Sequence, residues 1–294
     1  MPTKLDLYEG VIAASSPCAI VAVPAGSRFA PAGAEDHDVT GSAMTYRFDD
    51  KHVLITGAGR GLGAHLARHL ASLGATVAVV DIDGGNARAT ASEVERAGGK
   101  AFAYEGDVGV RDTYLDIAAR FARANGRIDA IVNNAMILHY CPVEQVEPAR
   151  LGAMLDVGIK ALFWSAQALL THYDPERGAS MINLASPVAS RGFPNTSAYS
   201  AVKGAVVAFT RVMAAELGPR KIRVNAVSPA SVPTPGAMGL NSPEEYAKRA
   251  ARIPLRRNGT EDDNSKAIAF LLSDDASFVH GEVFNVDGGV SATA

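Results

Sequence analysis

The sequence predicts an α/β protein: a doubly wound parallel sheet covered by helices on both faces, in three layers. From about residue 48, short apolar runs rich in Val and Ile alternate with longer helical segments. The short runs are apolar at nearly every position, as expected of parallel strands that are buried on both faces. We therefore predict a single α/β domain over residues 48–294.

Seven strands and seven helices are predicted along this domain. The strands are His52–Thr56, Thr76–Asp81, Ala101–Tyr104, Ile128–Asn133, Ser180–Leu184, Arg223–Ser228 and Val283–Val286. The helices are expected near 62–73, 85–98, 111–125, 151–172, 198–218, 243–251 and 262–273. Gly74, Gly98 and Gly218 stand where helices are expected to end. The stretch 231–258 interrupts the alternation, and we interpret it as a substrate lid.

Composition excludes several classes of protein. Apolar residues make up 48% of the 294 residues and charged residues 20%, which favours a large packed core over disorder. The net charge of −3 does not suggest a nucleic-acid or anionic-membrane partner. With only two cysteines, Cys18 and Cys141, a disulfide framework is not expected, which favours the reducing cytoplasm.

Residues 1–47 are expected to form a poorly ordered extension. Residues 11–25 are apolar but interrupted by Ser and Pro, and a single upstream lysine precedes them, so a secretory signal is not expected. One hypothesis is that Met44 is the natural start. No apolar run approaches the roughly 20 residues of a membrane span, so no membrane partner is predicted.

A glycine-rich segment joins the first strand to the first helix. Its residues are Thr56-Gly57-Ala58-Gly59-Arg60-Gly61-Leu62-Gly63. Glycines let the backbone turn sharply and approach a pyrophosphate, and the following helix directs its free N–H groups at the phosphates. Such a run alone can be a tight turn, but its place between strand and helix favours a dinucleotide site.

The second strand ends in Asp81, where a carboxylate can accept hydrogen bonds from the adenosine ribose hydroxyls. The same charge repels a 2′-phosphate, so Asp81 predicts NAD rather than NADP. Arg60 argues the other way, because a guanidinium in the glycine loop can pair with that phosphate. We give Asp81 the greater weight.

The candidate catalytic residues follow the fifth strand. Ser186 comes just after that strand, and Tyr199 and Lys203 lie one helical turn apart on the next helix. A neighbouring ammonium is expected to lower the pKa of the tyrosine and so make it a useful proton donor and acceptor. A Tyr-x-x-x-Lys pair alone is common on ordinary helices. Its combination with Ser186 and a cofactor loop favours catalysis.

These motifs together resemble the short-chain dehydrogenase/reductase family over about residues 48–290. The matching segments are Thr56-Gly57-x-x-x-Gly61-x-Gly63, Asn133-Asn134-Ala135, Ser186, Tyr199-x-x-x-Lys203 and Val286-Asp287-Gly288-Gly289. The resemblance implies a single Rossmann-type domain, usually assembled as a homotetramer. It also implies that Lys203 holds the nicotinamide ribose and that Asp107 reads the adenine.

The cofactor contacts that the sequence predicts form one set. They are Thr56, Gly57, Arg60, Gly61, Leu62, Gly63, Asp81, Asp107, Val108, Asn133, Ala135, Tyr199, Lys203, Pro229, Val232 and Thr234. Two alternatives stay open beside it: Asp107 as a simple turn residue, and Asn133 and Asn134 as a pair that only stabilises the loop, a role that for Asn134 is as well supported as cofactor contact. His139 and Tyr140 either line the substrate pocket or belong to a plain loop. No metal site is predicted, because Cys141 has no second soft ligand at metal-site spacing.

Three positions depart from the family pattern. Met136 stands where the family commonly has glycine, and Ala230 follows Pro229 where glycine is common. Gly158 aligns with an asparagine that, in many members, supports a water relay to the lysine. Our hypothesis at this stage is that water or a neighbour such as Asp156 replaces that amide.

The predicted function is reversible hydride transfer between NAD(H) and a secondary alcohol or ketone, with Ser186, Tyr199 and Lys203 as the catalytic residues. Two alternatives remain. One is an NADPH-dependent 3-oxoacyl reductase, against which Asp81 argues; the other is a weakly catalytic cofactor-binding regulator, which Met136 and Gly158 invite. The substrate itself cannot be deduced from the sequence.

Overall fold

The computed structural model describes residues 46–234 and 242–293 and contains one seven-stranded parallel sheet. The strands are β1 (His52–Thr56), β2 (Thr76–Asp81), β3 (Lys100–Glu105), β4 (Ala130–Asn133), β5 (Ala179–Leu184), β6 (Ile222–Pro229) and β7 (Val283–Val286). Their order across the sheet is β3-β2-β1-β4-β5-β6-β7. The order reverses between β1 and β4, which is where ligands bind in doubly wound sheets, outside the carboxyl ends of the strands.

Helices cover both faces of this sheet. They are α1 (Gly61–Ser72), α2 (Gly84–Arg96), α3 (Arg111–Asn125), α4 (Pro148–Leu155), α5 (Ala161–His172), α6 (Ser197–Leu217), α7 (Pro243–Arg252) and α8 (Glu261–Leu272). A π-helical segment, Asp156–Lys160, joins α4 to α5 without a break. The predicted three-layer architecture is confirmed.

Two hydrophobic cores lie on opposite faces of the sheet. One packs α3, α5 and α6 on the strands through residues such as Phe121, Leu169 and Val206. The other packs α1, α2 and α8 through residues such as Leu66 and Ile268. Because every crossover returns the chain to a parallel strand, the residues that follow β1, β2, β4, β5 and β6 meet at one edge.

The predicted elements agree with the structure within a few residues, and three strands agree at both ends. The prediction is wrong at the start of β4, which begins at Ala130 rather than Ile128. The Asp129 carboxylate accepts hydrogen bonds from the backbone N–H of His52 (2.8 Å) and from Nε of Arg127 (2.8 Å). Asp129 therefore belongs to a polar cluster before the strand begins. The helix predicted over 151–172 is also wrong in one respect, because the π-helical segment interrupts it.

By length and composition alone, the continuous helical run Pro148–His172 could cross a membrane, which the sequence analysis did not identify. Helices in a protein core pass the same test. This run carries Asp156 and Lys160 near its middle, and its α5 part packs against α3 and β4.

Two predictions fall wholly or partly outside the described residues. The amino-terminal extension is one, since residues 1–45 are not described. The lid predicted over 231–258 is the other, because residues 235–241 are not described. Within that stretch, the predicted short helix is present as α7.

Candidate active site

The glycine loop leaves β1 at Thr56 and enters α1 at Gly61. Gly57 has a φ of +62°, which side-chain-bearing residues rarely adopt, and a Cβ there would lie 2.8 Å from the Cα of Ala135. At the start of α1, Arg60 is exposed and provides no side-chain cap. The first N–H groups of α1 are therefore left for a ligand, and the positive end of the helix dipole favours an anionic one.

Asn134 holds this loop in place. Its side-chain amide donates to the carbonyl oxygens of Thr56 (2.9 Å) and Gly57 (3.0 Å). The Thr56 hydroxyl in turn accepts from the backbone N–H groups of Asn134 and Ala135, both at 3.1 Å. Of the two roles considered for Asn134, the structure shows the loop-stabilising one.

Asp81 lies at the carboxyl end of β2, half-buried beside the loop. Its carboxylate accepts from the backbone N–H groups of Gly59 (2.8 Å) and Asp83 (3.0 Å). Two carboxylate oxygens offer about four lone-pair sites, so these two bonds leave capacity for further donors. The position and chemistry of Asp81 fit a pair of ribose hydroxyls.

Residues at the ends of β3 and β4 form the next side of the candidate cofactor site. Asp107 accepts from the N–H of Gly109 (2.8 Å), which is the turn geometry considered as its alternative role, and Val108 beside it is buried. Asn133 donates to Ser165 Oγ and to Asn183 Oδ1, both at 2.9 Å. These bonds fix its amide at the end of β4. The adenine and nicotinamide contacts of this side stay predictions.

The segment after β6 reaches back towards the loop. Pro229 ends β6, and Thr234 follows it with its Cβ 3.2 Å from where a Cβ on Gly61 would stand. Val232 packs near Gly259 instead, 3.3 Å from the corresponding position there. Thr234 thus lies at the glycine loop and Val232 packs near Gly259, and their predicted contacts with the cofactor stay predictions.

Ser186, Tyr199 and Lys203 come together at the carboxyl end of β5. Ser186 precedes a short 3₁₀ turn and accepts from the N–H of Val188 (3.5 Å). Tyr199 and Lys203 lie on the first turns of α6, with the lysine Nζ 5.7 Å from the centre of the tyrosine ring. The Lys203 Nζ donates to the carbonyl of Leu184 at 2.5 Å. Substrate oxygen, phenol and ammonium can therefore meet at one point.

The electrostatics of this trio differ from the prediction. Burial raises the pKa of the Tyr199 phenol, the neighbouring Tyr140 raises it further, and a hydrogen bond with Ser186 lowers it. Burial also lowers the pKa of Lys203 from 10.5 to about 8. The expected lowering of the tyrosine pKa by the lysine is not found, because the buried lysine is itself driven towards its uncharged form. In this state, the phenol holds its proton.

Comparison with known proteins identifies the family. Residues 57–291 match the family model described as Enoyl-(Acyl carrier protein) reductase. The chain is 36% identical to 2-(S)-hydroxypropyl-CoM dehydrogenase 3 of Xanthobacter autotrophicus, covering 85% of this chain and all of that one. It is 33% identical to a cyclopentanol dehydrogenase of a Comamonas species, covering 84% and 99%.

A solved structure agrees with these relatives. The 3-ketoacyl-(acyl-carrier-protein) reductase of Brucella melitensis, in complex with NADH, superposes with a TM-score of 0.76 at 34% identity, covering 83% of this chain and 99% of that one. The chain belongs to the short-chain dehydrogenase/reductase family. It is therefore an oxidoreductase by family.

One further aromatic residue of this short-chain dehydrogenase/reductase lies in the site. The Tyr140 ring packs edge-on against the Tyr199 ring, with centroids 5.5 Å apart. The N–H of Cys141 donates to the carbonyl of Asn195 (3.0 Å), which ties this loop to the segment before α6. The structure places Tyr140 beside Tyr199, and its role in lining the substrate pocket stays a prediction.

The predicted lid, 231–258, contains α7, but no residue on that helix was singled out from the sequence. Burial raises the pKa of Tyr140, Arg249 lowers it and Tyr246 raises it, so both α7 side chains lie near Tyr140. A cleft of about 520 Å³ opens beside the site, lined by Val143, Ser200 and the segments 188–193 and 195–197. In the described residues, no group of three or more His, Cys, Asp or Glu side chains is placed to hold a metal ion.

Of the two replacements proposed for the missing asparagine, the structure does not show Asp156 in that role, and water stays a hypothesis. The carboxylate of Asp156 pairs with Nζ of Lys160 (2.6 Å) on the same π-helical segment. Among the described residues, the side-chain hydrogen bond of Lys203 goes to Leu184 alone. Lys203 and Gly158 do share a small cavity of about 10 Å³, which is close to the space that one water requires.

Proposed function

We propose that the protein catalyses reversible hydride transfer between NAD(H) and a secondary alcohol or ketone, with Tyr199 as acid and base. The observation that carries the proposal is the convergence of Ser186, Tyr199 and Lys203 at the sheet edge that also holds the glycine loop. When bound, the nicotinamide supplies the hydride donor or acceptor. The residues of the chain supply binding, orientation and proton transfer.

In ketone reduction, the Tyr199 phenol donates its proton to the carbonyl oxygen, while Ser186 holds that oxygen by a hydrogen bond. The raised pKa of Tyr199 keeps this acid protonated before reaction. In alcohol oxidation the proton moves the other way, from the hydroxyl to the Tyr199 oxygen. Lys203, whose pKa is about 8, can hold or release a proton near neutral pH, and its Nζ lies 5.7 Å from the centre of the Tyr199 ring.

The cofactor that we propose is NAD. Asp81 places a carboxylate beside the glycine loop, where the backbone N–H groups of Gly59 and Asp83 donate to it. A 2′-phosphate there would meet this charge at close range. Arg60 is exposed at the start of α1, where solvent weakens its attraction for a phosphate.

A second candidate is the reduction of 3-oxoacyl thioesters. The likeness to the Brucella 3-ketoacyl-(acyl-carrier-protein) reductase favours it. Since that relative is in complex with NADH, use of NAD would not by itself exclude this activity. A purely regulatory role is less well supported, because Ser186, Tyr199 and Lys203 are all present and assembled.

One experiment separates these candidates. A panel of cyclic, steroid, sugar and aromatic secondary alcohols is assayed with NAD and NADP by the absorbance of the reduced cofactor, alongside a 3-oxoacyl thioester in the reverse direction. We expect turnover of at least one alcohol with NAD, and its loss in Tyr199→Phe. Turnover of the thioester alone would establish the second candidate. Binding of NADH without turnover of any substrate would establish the regulator.

We also propose that the enzyme works as a homotetramer in the cytoplasm. Phe163 on α5 and Val212 on α6 are 48% and 52% exposed, and Phe163 packs edge-on against Phe209 at 5.1 Å. An exposed apolar face across two neighbouring helices favours burial against another copy. Light scattering that gives a monomeric mass would overturn the assembly.

A further inference from the structure

Gly158 faces two side chains at very close range. A Cβ added to Gly158 would overlap Cγ1 of Val202, and it would lie 3.1 Å from Sδ and 3.4 Å from Cε of Met136. We call these three residues the inner contact. They come from three elements: the loop after β4, the π-helical segment and α6. The Val202 side chain and the Met136 thioether therefore occupy the space that a side chain at position 158 would need.

The inner contact lies against the turn of α6 that bears Tyr199 and Lys203. Val202 is fully buried and stands between Tyr199 and Lys203 in the chain. Lys203 and Gly158 line the same cavity of about 10 Å³. Because α6 is a rigid helix, a displacement at Val202 moves the Tyr199 phenol and the Lys203 ammonium with it.

Two of the three departures from the family pattern, Met136 and Gly158, are therefore one structural change. Met136 replaces a glycine, and its thioether occupies space next to the position that the side chain of the usual asparagine would need. Because Gly158 has no side chain, the Met136 thioether and the Val202 side chain can occupy that space. A π-helical turn carries one extra residue and often marks a functional site. Here it lies at the residue that contacts α6.

We propose that Met136, Gly158 and Val202 are positioning residues, which together set how closely the catalytic turn of α6 approaches the π-helical segment. This inference rests on the function proposed above. It predicts that any side chain at position 158 pushes the turn outward, away from the substrate oxygen and the cofactor. A displacement of 1 Å can cost an enzyme about a hundredfold in rate.

The direct test adds a single methyl group. Gly158→Ala is compared with Gly152→Ala, because a Cβ at Gly152, in the same helical run, meets nothing within 4 Å. We expect Gly158→Ala to lower kcat about tenfold or more, with KM for the alcohol changed much less, and to lower Tm. Gly152→Ala is expected to leave kcat within about twofold and Tm unchanged or raised.

Double variants show whether the three residues act together. Gly158→Ala is introduced into Met136→Ala and Val202→Ala, each of which removes atoms that the new Cβ would meet. In both backgrounds we expect the added methyl to cost less in kcat and in Tm than in the parent. Met136→Leu, which nearly conserves volume, should keep most of the parent kcat. If Gly158→Ala does not fold alone, Gly158→Ala/Val202→Ala is compared with Val202→Ala.

The outcomes separate this inference from the proposed function. The proposal would be overturned if Gly158→Ala changed kcat and Tm equally in the parent, in Met136→Ala and in Val202→Ala. It would also be overturned if Gly158→Ala and Gly152→Ala had equal effects. Thermal unfolding measures the same coupling without any turnover. If Tyr199→Phe retained full turnover, the proposed function would fall, while coupling in Tm would still decide the steric part of the inference.

Discussion

Replacing Lys203 by methionine should stabilise the fold while it removes activity. Burial lowers the pKa of Lys203 from 10.5 to about 8, which corresponds to roughly 3 kcal/mol against the charged form at neutral pH. Loss of the hydrogen bond to the Leu184 carbonyl costs about 1 kcal/mol in return. Methionine fills a similar volume without a charge. The expected net gain at pH 7 is therefore about 2 kcal/mol, or a Tm rise of about 4–8 °C.

The gain must depend on pH in a defined direction. The pKa of Lys203 in the folded state lies below its unfolded value, so below pH 8 both states are protonated and the full cost of burial is present. Between about pH 8 and 10.5 the folded state loses its proton first, and the parent becomes more stable relative to the variant. The advantage of Lys203→Met should thus shrink across this window.

Urea unfolding, followed by the fluorescence of Trp164, the single tryptophan, measures this difference from pH 6.5 to 10. Lys266→Met is the matched control, because Lys266 is exposed and its ion pair within the described residues is with Asp262 (2.6 Å), across one helical turn. The control should change stability by no more than about 0.5 kcal/mol. A Lys203→Met variant less stable than the parent at pH 7, or a difference independent of pH, would refute the account of the buried lysine.

Three further predictions concern the cofactor, the pocket and the fold. Asp81→Asn keeps an acceptor for the loop but removes the charge, so the ratio of kcat/KM for NADP over NAD should rise about tenfold or more; an unchanged ratio would exclude Asp81 as the selector. Tyr140→Ala should raise KM for the alcohol more than it lowers kcat, whereas equal KM values would place Tyr140 outside the pocket. Asp129→Ala removes a buried carboxylate that accepts from Nε of Arg127 and from the backbone N–H of His52, and it should cost about 3 kcal/mol in urea unfolding with kcat retained; a cost below about 1 kcal/mol would contradict this.

The fold was predictable because it depends on local patterns. β1, β2 and β7 agree with the sequence at both ends, since each is a short apolar run bounded by turn residues or glycines. The π-helical segment was not predictable, because the apolar periodicity continues through it and the extra residue is accommodated by contact with α6. The start of β4 was missed for a similar reason: Asp129 is fixed by distant partners, His52 among them.

The sequence indicated which residues belong to the site, but it did not indicate all of the contacts between them. The spacing of Tyr199 and Lys203 indicates a shared helix face, and the structure confirms it. The sequence also showed that Met136 and Gly158 are unusual, but not that they touch, because they lie on separate elements. The pKa direction of Tyr199 was wrong in the sequence analysis, since burial of both partners cannot be read from their spacing.

The most direct test of the account is Tyr199→Phe, assayed for turnover and for binding of NADH in parallel. Phenylalanine keeps the ring that packs against Tyr140 and removes only the hydroxyl that would exchange the proton. The account predicts that kcat falls by at least about a thousandfold while the Kd for NADH stays within about threefold of the parent. Turnover retained within tenfold of the parent, with binding intact, would contradict the assignment of Tyr199 as the acid and base.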